Sequence, residues 1–276
     1  MTMKKSLIAL SVAAAPLASQ AGLEPMNDAE MGNITGKESV RIELQTAMTI
    51  DQLEYSQDTN GSFVMDDIRV GGHEPGETLD VQIDIDLMDS GDAEITVLSI
   101  GPLAPVELGV DVGGMGLQGD DGSATLISDL SADVLVSQLQ INARVDNIVG
   151  DNEDTGSIEI ENRFAIENLD VDFDVAAVSL EGMRMAGPDA LEDIQEEDPD
   201  WTPIAITDGA QMNMQIGAGS RISDPGGDEP DALRINVDEF AASIWMPTVN
   251  VGGESIGSVA IDNLNVTESQ MAIYGR

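Results

Sequence analysis

Apolar and polar residues alternate over long stretches of this chain, and nothing else in it limits the fold as strongly. Leu79-Asp80-Val81-Gln82-Ile83-Asp84-Ile85-Asp86-Leu87 alternates without a fault, as does Leu169-Asp170-Val171-Asp172-Phe173-Asp174-Val175. A period of two places successive side chains on opposite faces of a β-strand, here with the aspartates on the wet face. Met212-Asn213-Met214-Gln215-Ile216 and Ser157-Ile158-Glu159-Ile160 follow the same pattern. Aspartate is a poor strand residue, so burial of the opposite face has to drive these segments.

A degenerate template recurs: apolar, any, apolar, two polar, apolar, any, apolar. It fits the runs that begin at Phe63, Val134, Phe164, Ile235 and Val259, with weaker copies at Ile95 and Ile204. The polar pairs are Asp66-Asp67, Ser137-Gln138, Glu167-Asn168, Asp238-Glu239 and Asp262-Asn263. Each pair moves the alternation by one residue, which a strand tolerates with one face buried only if it bulges or turns a corner. Repeated phase shifts at unequal steps predict an all-β fold, either an elongated, repeat-like curved sheet or a β-solenoid. A bulged β-sandwich is the alternative. An outer-membrane barrel is disfavoured, because two Trp, two Tyr and four Phe cannot build its aromatic girdles.

Turn clusters separate the strands, among them Asp58-Thr59-Asn60-Gly61, Asp120-Asp121-Gly122 and Asp224-Pro225-Gly226-Gly227. Gly113-Gly114-Met115-Gly116 reads as a loose turn, since no strand-to-helix pattern flanks it. Pro188 to Glu196 predicts one short acidic helix near 188–197, with proline and acids in its first turn. It offers only Leu191 and Ile194 to a core, so residues 186–202 are expected to form an exposed insertion.

Residues 1–21 carry Lys4 and Lys5, a short apolar run and a small-residue exit at Ala18 to Ala21, the pattern of a cleaved signal peptide. The run is too short to span a bilayer, and no later stretch is apolar enough, so no transmembrane span is expected. Residues 22–276 then form a single β-rich domain, exported to the periplasm, outer surface or exterior of a bacterial cell. With 52 acids against 11 Lys and Arg, the net charge is −41, and removal of the two leader lysines makes it more negative. Such a field repels nucleic acid, so none is expected as a partner. General solvation, of the kind that suits salty surroundings, accounts for acids spread along the whole chain better than a dedicated cation site does.

Reactive chemistry is sparse. There is no cysteine, which removes thiol nucleophiles, thiolate metal sites and disulfides. His73 is the one histidine and sits in Gly71-Gly72-His73-Glu74-Pro75-Gly76, where an exposed loop side chain is expected. No nucleophile elbow accompanies it. Glycoside hydrolysis would also want aromatic platforms, and Trp201 and Trp245 are read instead as core or interface residues. The chain is therefore expected not to be an enzyme. Calcium is the one candidate cofactor: Asp151, Glu153 and Asp154 precede Gly156 in an acidic turn, although Asn162 stands where a calcium hand needs its closing glutamate.

The segment after the leader, Gly22-Leu23-Glu24-Pro25-Met26-Asn27-Asp28-Ala29-Glu30-Met31-Gly32-Asn33-Ile34-Thr35-Gly36, resembles the opening of the FilA-like pilus-assembly proteins. Met48-Thr49-Ile50-Asp51-Gln52-Leu53-Glu54-Tyr55 is similar to that family as well, whereas Lys37 and Ser39 depart from its motif. The resemblance implies an exported, β-rich, pilus-associated structural protein with no catalytic residues to carry over. Two roles follow as expectations. One is a structural or interaction protein of the cell envelope that assembles with itself or with other envelope or pilus proteins through strand edges. The other is a binding module for a lipid-like ligand or calcium, with Met183, Met185, Met212 and Met214 lining an apolar groove.

Overall fold

The computed structural model describes residues 39–56, 61–100, 104–119, 122–149, 155–223 and 232–275. These form twelve strands in a single sheet in which every pairing is antiparallel. The all-β class is as the alternation predicts. Among the described residues the pairing contains neither solenoid coils nor a second, facing sheet.

The strands reduce to eight lanes in a simple meander. Lane one is β1 (Ser39–Thr46) and β2 (Met48–Ser56), separated by Ala47 alone. Lane two is β3 (Ser62–Gly71) and β4 (Leu79–Leu87), and lane three is β5 (Ala93–Ser99) and β6 (Val106–Gly119). Lanes four and five are the long single strands β7 (Gly122–Arg144) and β8 (Ser157–Phe173). Lane six is β9 (Val178–Ala186) and β10 (Ala210–Gly219), lane seven β11 (Ala232–Val251), and lane eight β12 (Glu254–Ile273). Each lane pairs only with its sequence neighbours, and reverses direction from the one before.

All five polar pairs of the template coincide with a backbone irregularity. Asp67 and Asn263 take positive φ (51° and 53°). The β7–β8 register shifts between Val136 and Gln138, and again between Asp133 and Val134, which leaves Glu167 as the extra residue on β8. The β10–β11 register shifts between Asn213 and Met214, which leaves Asp238 over. Asp262 and Asn263 together oppose Ser243, where the β11–β12 register shifts. A one-residue bulge resets the alternation, so apolar residues before and after it stay on one face.

The result is a sheet with two chemically distinct faces. One row, apolar in every lane except the fifth, crosses all eight lanes as Ile42, Ile83, Val97, Leu139, Asn162, Met212, Phe240 and Val266. The polar row beside it reads Arg41, Asp84, Thr96, Gln140, Glu161, Asn213, Glu239 and Thr267. Central apolar side chains such as Ile85, Ile95, Ile141 and Met214 are only half-buried.

Lane six is interrupted by residues 187–209, which carry α1 (Leu191–Ile194) and α2 (Trp201–Thr207). The short acidic helix lies where the sequence places it, but the segment is not the exposed insertion expected. Ala186, Ala190, Ile194, Ile204 and Ala205 are buried against Leu135 and Ala165, with Leu191, Trp201 and Trp245 packed around them. The charged residues Glu192, Asp193, Glu196, Glu197 and Asp198 stay in solvent, so the segment is amphipathic and seats its small apolar side on the sheet. Leu135 and Ala165 alternate with Val134, Val136, Phe164 and Ile166, which puts this core on the polar side of the sheet. Ser243, fully buried, fixes the segment by donating from its hydroxyl to the Pro188 carbonyl at 2.6 Å. Arg184 donates to the carbonyls of Ile194 (3.1 Å) and Glu196 (2.7 Å).

Two further expectations are corrected. Ile204, read as a weak strand copy, lies on α2, where Asp200 precedes the first turn and Pro203 sits within it. Gly113 to Gly116 lie inside β6 rather than in a turn, because neighbouring strands come too close for side chains there. A Cβ on Gly113 would meet that of Asp67 at 3.0 Å, and one on Gly116 the Ala124 carbonyl oxygen at 2.9 Å.

Among the described residues Ile194 is the largest apolar side chain with no exposed area, and truncating it empties the seat of the helical segment. Ile194→Ala is expected to cost about 2–5 kcal/mol in denaturant unfolding, whereas Glu197→Ala on the solvent side changes stability by less than about 0.5 kcal/mol.

Candidate functional site

A group of interacting ionisable side chains lies on the polar face of lanes two to five. Arg69, Asp111, Ser131 and Asp170 stand side by side on β3, β6, β7 and β8. Arg69 donates from Nε to Asp111 Oδ2, and the other carboxylate oxygen of Asp111 accepts from the Ser131 hydroxyl at 2.8 Å. Asp170 accepts from Asn168 Nδ2 (2.8 Å) and from the Gly182 backbone N–H (2.6 Å).

The next row is Gly71, Gly109, Asp133 and Asn168, and its glycines decide what happens above it. The 72–78 loop that separates β3 from β4 folds back over the sheet. A Cβ on Gly109 would sit 2.2 Å from the Gly72 carbonyl oxygen, so only glycine admits the loop there. Arg69 then holds the loop by donating to the carbonyls of Gly72 (2.9 Å) and His73 (3.2 Å).

That fold-back carries His73 onto the sheet. Its Nδ1 lies 3.0 Å from Glu167 Oε2, and the side chains of both are about four-fifths covered (22% and 21% exposed). The loop is present as expected from its glycines, but the ring is packed rather than solvated. Glycine content signals a turn, and says nothing of the surface on which the turn lies. Glu167 owes its position to the β8 bulge, which turns the extra residue toward the polar face. The sequence singled out this residue as half of a phase-shifting pair and not as part of a site.

Burial raises the pKa of Glu167, a tendency opposed by His73 and reinforced by the charges of Asp133 and Glu107. Burial likewise raises that of Asp133, with His73 and Arg69 opposing and Asp111 and Asp170 reinforcing. The arrangement is thus an imidazole against a carboxylate that accepts protons readily, beside a second such carboxylate and a neutralised Arg–Asp pair. It can hold or share a proton.

Among the described residues no group of three or more His, Asp or Glu side chains is arranged to hold a metal ion. The calcium candidates Asp151, Glu153 and Asp154, the acidic turns at 120–121 and 224–231, and residues 1–21 lie outside the described residues. Met183, Met185, Met212 and Met214 come together along lane six on the apolar face, as partners of Leu169, Ile166, Asn162 and Ile160 in lane five. No described helix is long and apolar enough to cross a membrane, which says nothing about a β-barrel.

The raised carboxylates fix a sign. The folded state binds protons at Glu167 and Asp133 more readily than the unfolded state does. Their contribution to stability is complete below the usual carboxylate value near 4 and is lost as pH rises through the raised folded values. Asp133→Asn is therefore expected to flatten the pH dependence above about pH 4 and to raise Tm at pH 7 by on the order of 1–3 °C. A lower Tm at pH 7, read by calorimetry, would show that Asp133 stabilises the fold as a charged group.

Residues 1–99 match a family of unknown function (DUF6160), a segment that includes lanes one and two and β5 and so contains Arg69 and His73 but not Asp111, Asp133 or Glu167. No curated protein and no solved structure matches the chain.

Proposed function

We propose that this chain is an exported structural or interaction protein of the cell envelope or surface, associated with filaments and without enzymatic activity. The observation that carries the reading is the pair of unpaired edges. Lane one and lane eight, at opposite ends of the sheet, have no strand partner on their outer sides among the described residues. Strands left open in this way are templates for another chain, and proteins that stay solitary usually blunt them. Support comes also from the polar-face cluster, whose Arg69 and Asp111 satisfy one another and a loop backbone. Such a cluster fits a clamp for the 72–78 loop better than a catalytic centre open to substrate. The pilus association rests on the resemblance of residues 22–36 to the FilA-like proteins, and the matched family adds no activity to it.

Methionines along the centre of the apolar face favour a second reading, a binding module for a lipid-like ligand. Calcium remains a candidate ligand for the acidic residues Asp151, Glu153 and Asp154 under either role.

Export is tested by fractionating a Gram-negative host that produces the chain with a C-terminal epitope. The expected outcome is a shortened form, cleaved after Ala21, in the periplasm or outside the cell. Deleting residues 2–21 should retain it in the cytoplasm. A full-length, cytoplasmic product from the intact gene would overturn the envelope reading.

A further inference from the structure

Eight is an even number of lanes, and in a meander it makes lanes one and eight run in opposite directions. A second copy placed beside the first and turned by the accumulated twist of the sheet would lay its lane one antiparallel to lane eight of the first. The two edges are also matched in length: β1 and β2 supply 8 and 9 residues with Ala47 between them, and β12 supplies 20. Both carry exposed apolar side chains on the same face, Val40, Ile42, Met48 and Leu53 on one and Val259, Ile261, Met271 and Ile273 on the other.

From these matches we infer that copies of this chain join head to tail, lane eight of one to lane one of the next, into a continuous antiparallel sheet. The inference rests on the structural role proposed above and names the partner as a second copy. The contact is heterologous, with different surfaces meeting, so it adds copies without closing unless the sheet curls on itself.

The existing rows set the register. Ile42 and Val266 end one apolar row, and Val40 and Ser269 end the next. Continuing both rows across the seam places Val266 against Ile42, which carries that row from copy to copy with an apolar residue on each side, and Ser269 against Val40. The polar row between them brings Thr267, with Glu268 next to it, to Arg41. That arginine already pairs with Asp84 through two hydrogen bonds of 2.7 and 2.8 Å. It is the one cation in lane one, and lane eight offers only acids, Glu254, Asp262 and Glu268. The remaining obstacle is the charge of −41 on each copy. Salt shortens the range of that repulsion from about 30 Å at 0.01 M to about 3 Å at 1 M, so assembly should increase with ionic strength.

The absence of cysteine makes the seam directly readable. Directly opposed residues of antiparallel strands lie within disulfide reach. Full-length Ile42→Cys protein is mixed with full-length Val266→Cys protein at 1 M and at 0.01 M NaCl under mild oxidation, with a tag on one of them. The expected product is the mixed dimer, at least tenfold over either symmetric dimer and enriched at high salt. The wild type, followed by light scattering, should grow in mass with salt, and Ile42→Lys should abolish that growth while retaining its β circular dichroism. Symmetric dimers in equal yield, or folded variants that never cross-link, would overturn the inference. A double variant that closes within one chain as a monomer would also overturn it, because lanes one and eight would then meet in a ring. Any of these failures alongside periplasmic export would leave the envelope role standing and remove only the second copy as partner.

Discussion

A strand can remain amphipathic over some twenty residues only if its two-residue period stays in step with a sheet that twists and bends. The polar pairs of this chain keep it in step. At Asp67, Ser137-Gln138, Glu167, Asp238 and Asp262-Asn263 the backbone bulges or adopts positive φ, and the alternation restarts with apolar residues on the same side. Without those resets each long lane would turn its Ile, Leu and Val to opposite faces in its two halves. The separation into an apolar and a polar face follows from them, and so do the largely apolar rows that cross the sheet to both edges.

The polar face is where the fold departs from plain repetition. Two segments lie on it: the 72–78 loop, admitted by Gly109, and the 187–209 segment, seated on Leu135 and Ala165. Each interrupts a lane without breaking it, since the strands on either side continue in the same direction. Their anchors are of different kinds. The loop is held by an arginine whose charge is matched by Asp111, and the helical segment by small buried apolar residues and the Ser243 hydroxyl. Burial beneath the loop, reinforced by neighbouring carboxylates, raises the pKa values of Asp133 and Glu167 there.

What could be read in the sequence was whatever obeys local rules. Strand alternation gave β4 residue for residue, and the phase shifts located the bulges, because both depend on side chains one or two positions apart. Contacts made at a distance were not legible. The packing of His73 on Glu167 depends on a missing Cβ at Gly109, 36 positions along the chain. The burial of Ile194 depends on a small apolar patch on a face that the alternation marks as wet. Gly113 and Gly116 carry the composition of a turn, yet they sit in a strand because of what lies across from them. Glu167 was visible as an irregularity, but not as a residue with a neighbour.

The meander also orders events in time. Every hydrogen-bonded neighbour of a lane is the lane just before or just after it in the chain, so no early lane waits for a late one to complete its pairing. Proteins whose contacts are local in sequence tend to fold quickly, because little loop entropy is lost before contacts form. A chain of this kind can be laid down one lane at a time as it emerges from a channel, each new lane templated by the last. The final lane is left with the same kind of open outer edge that each earlier lane offered to its successor.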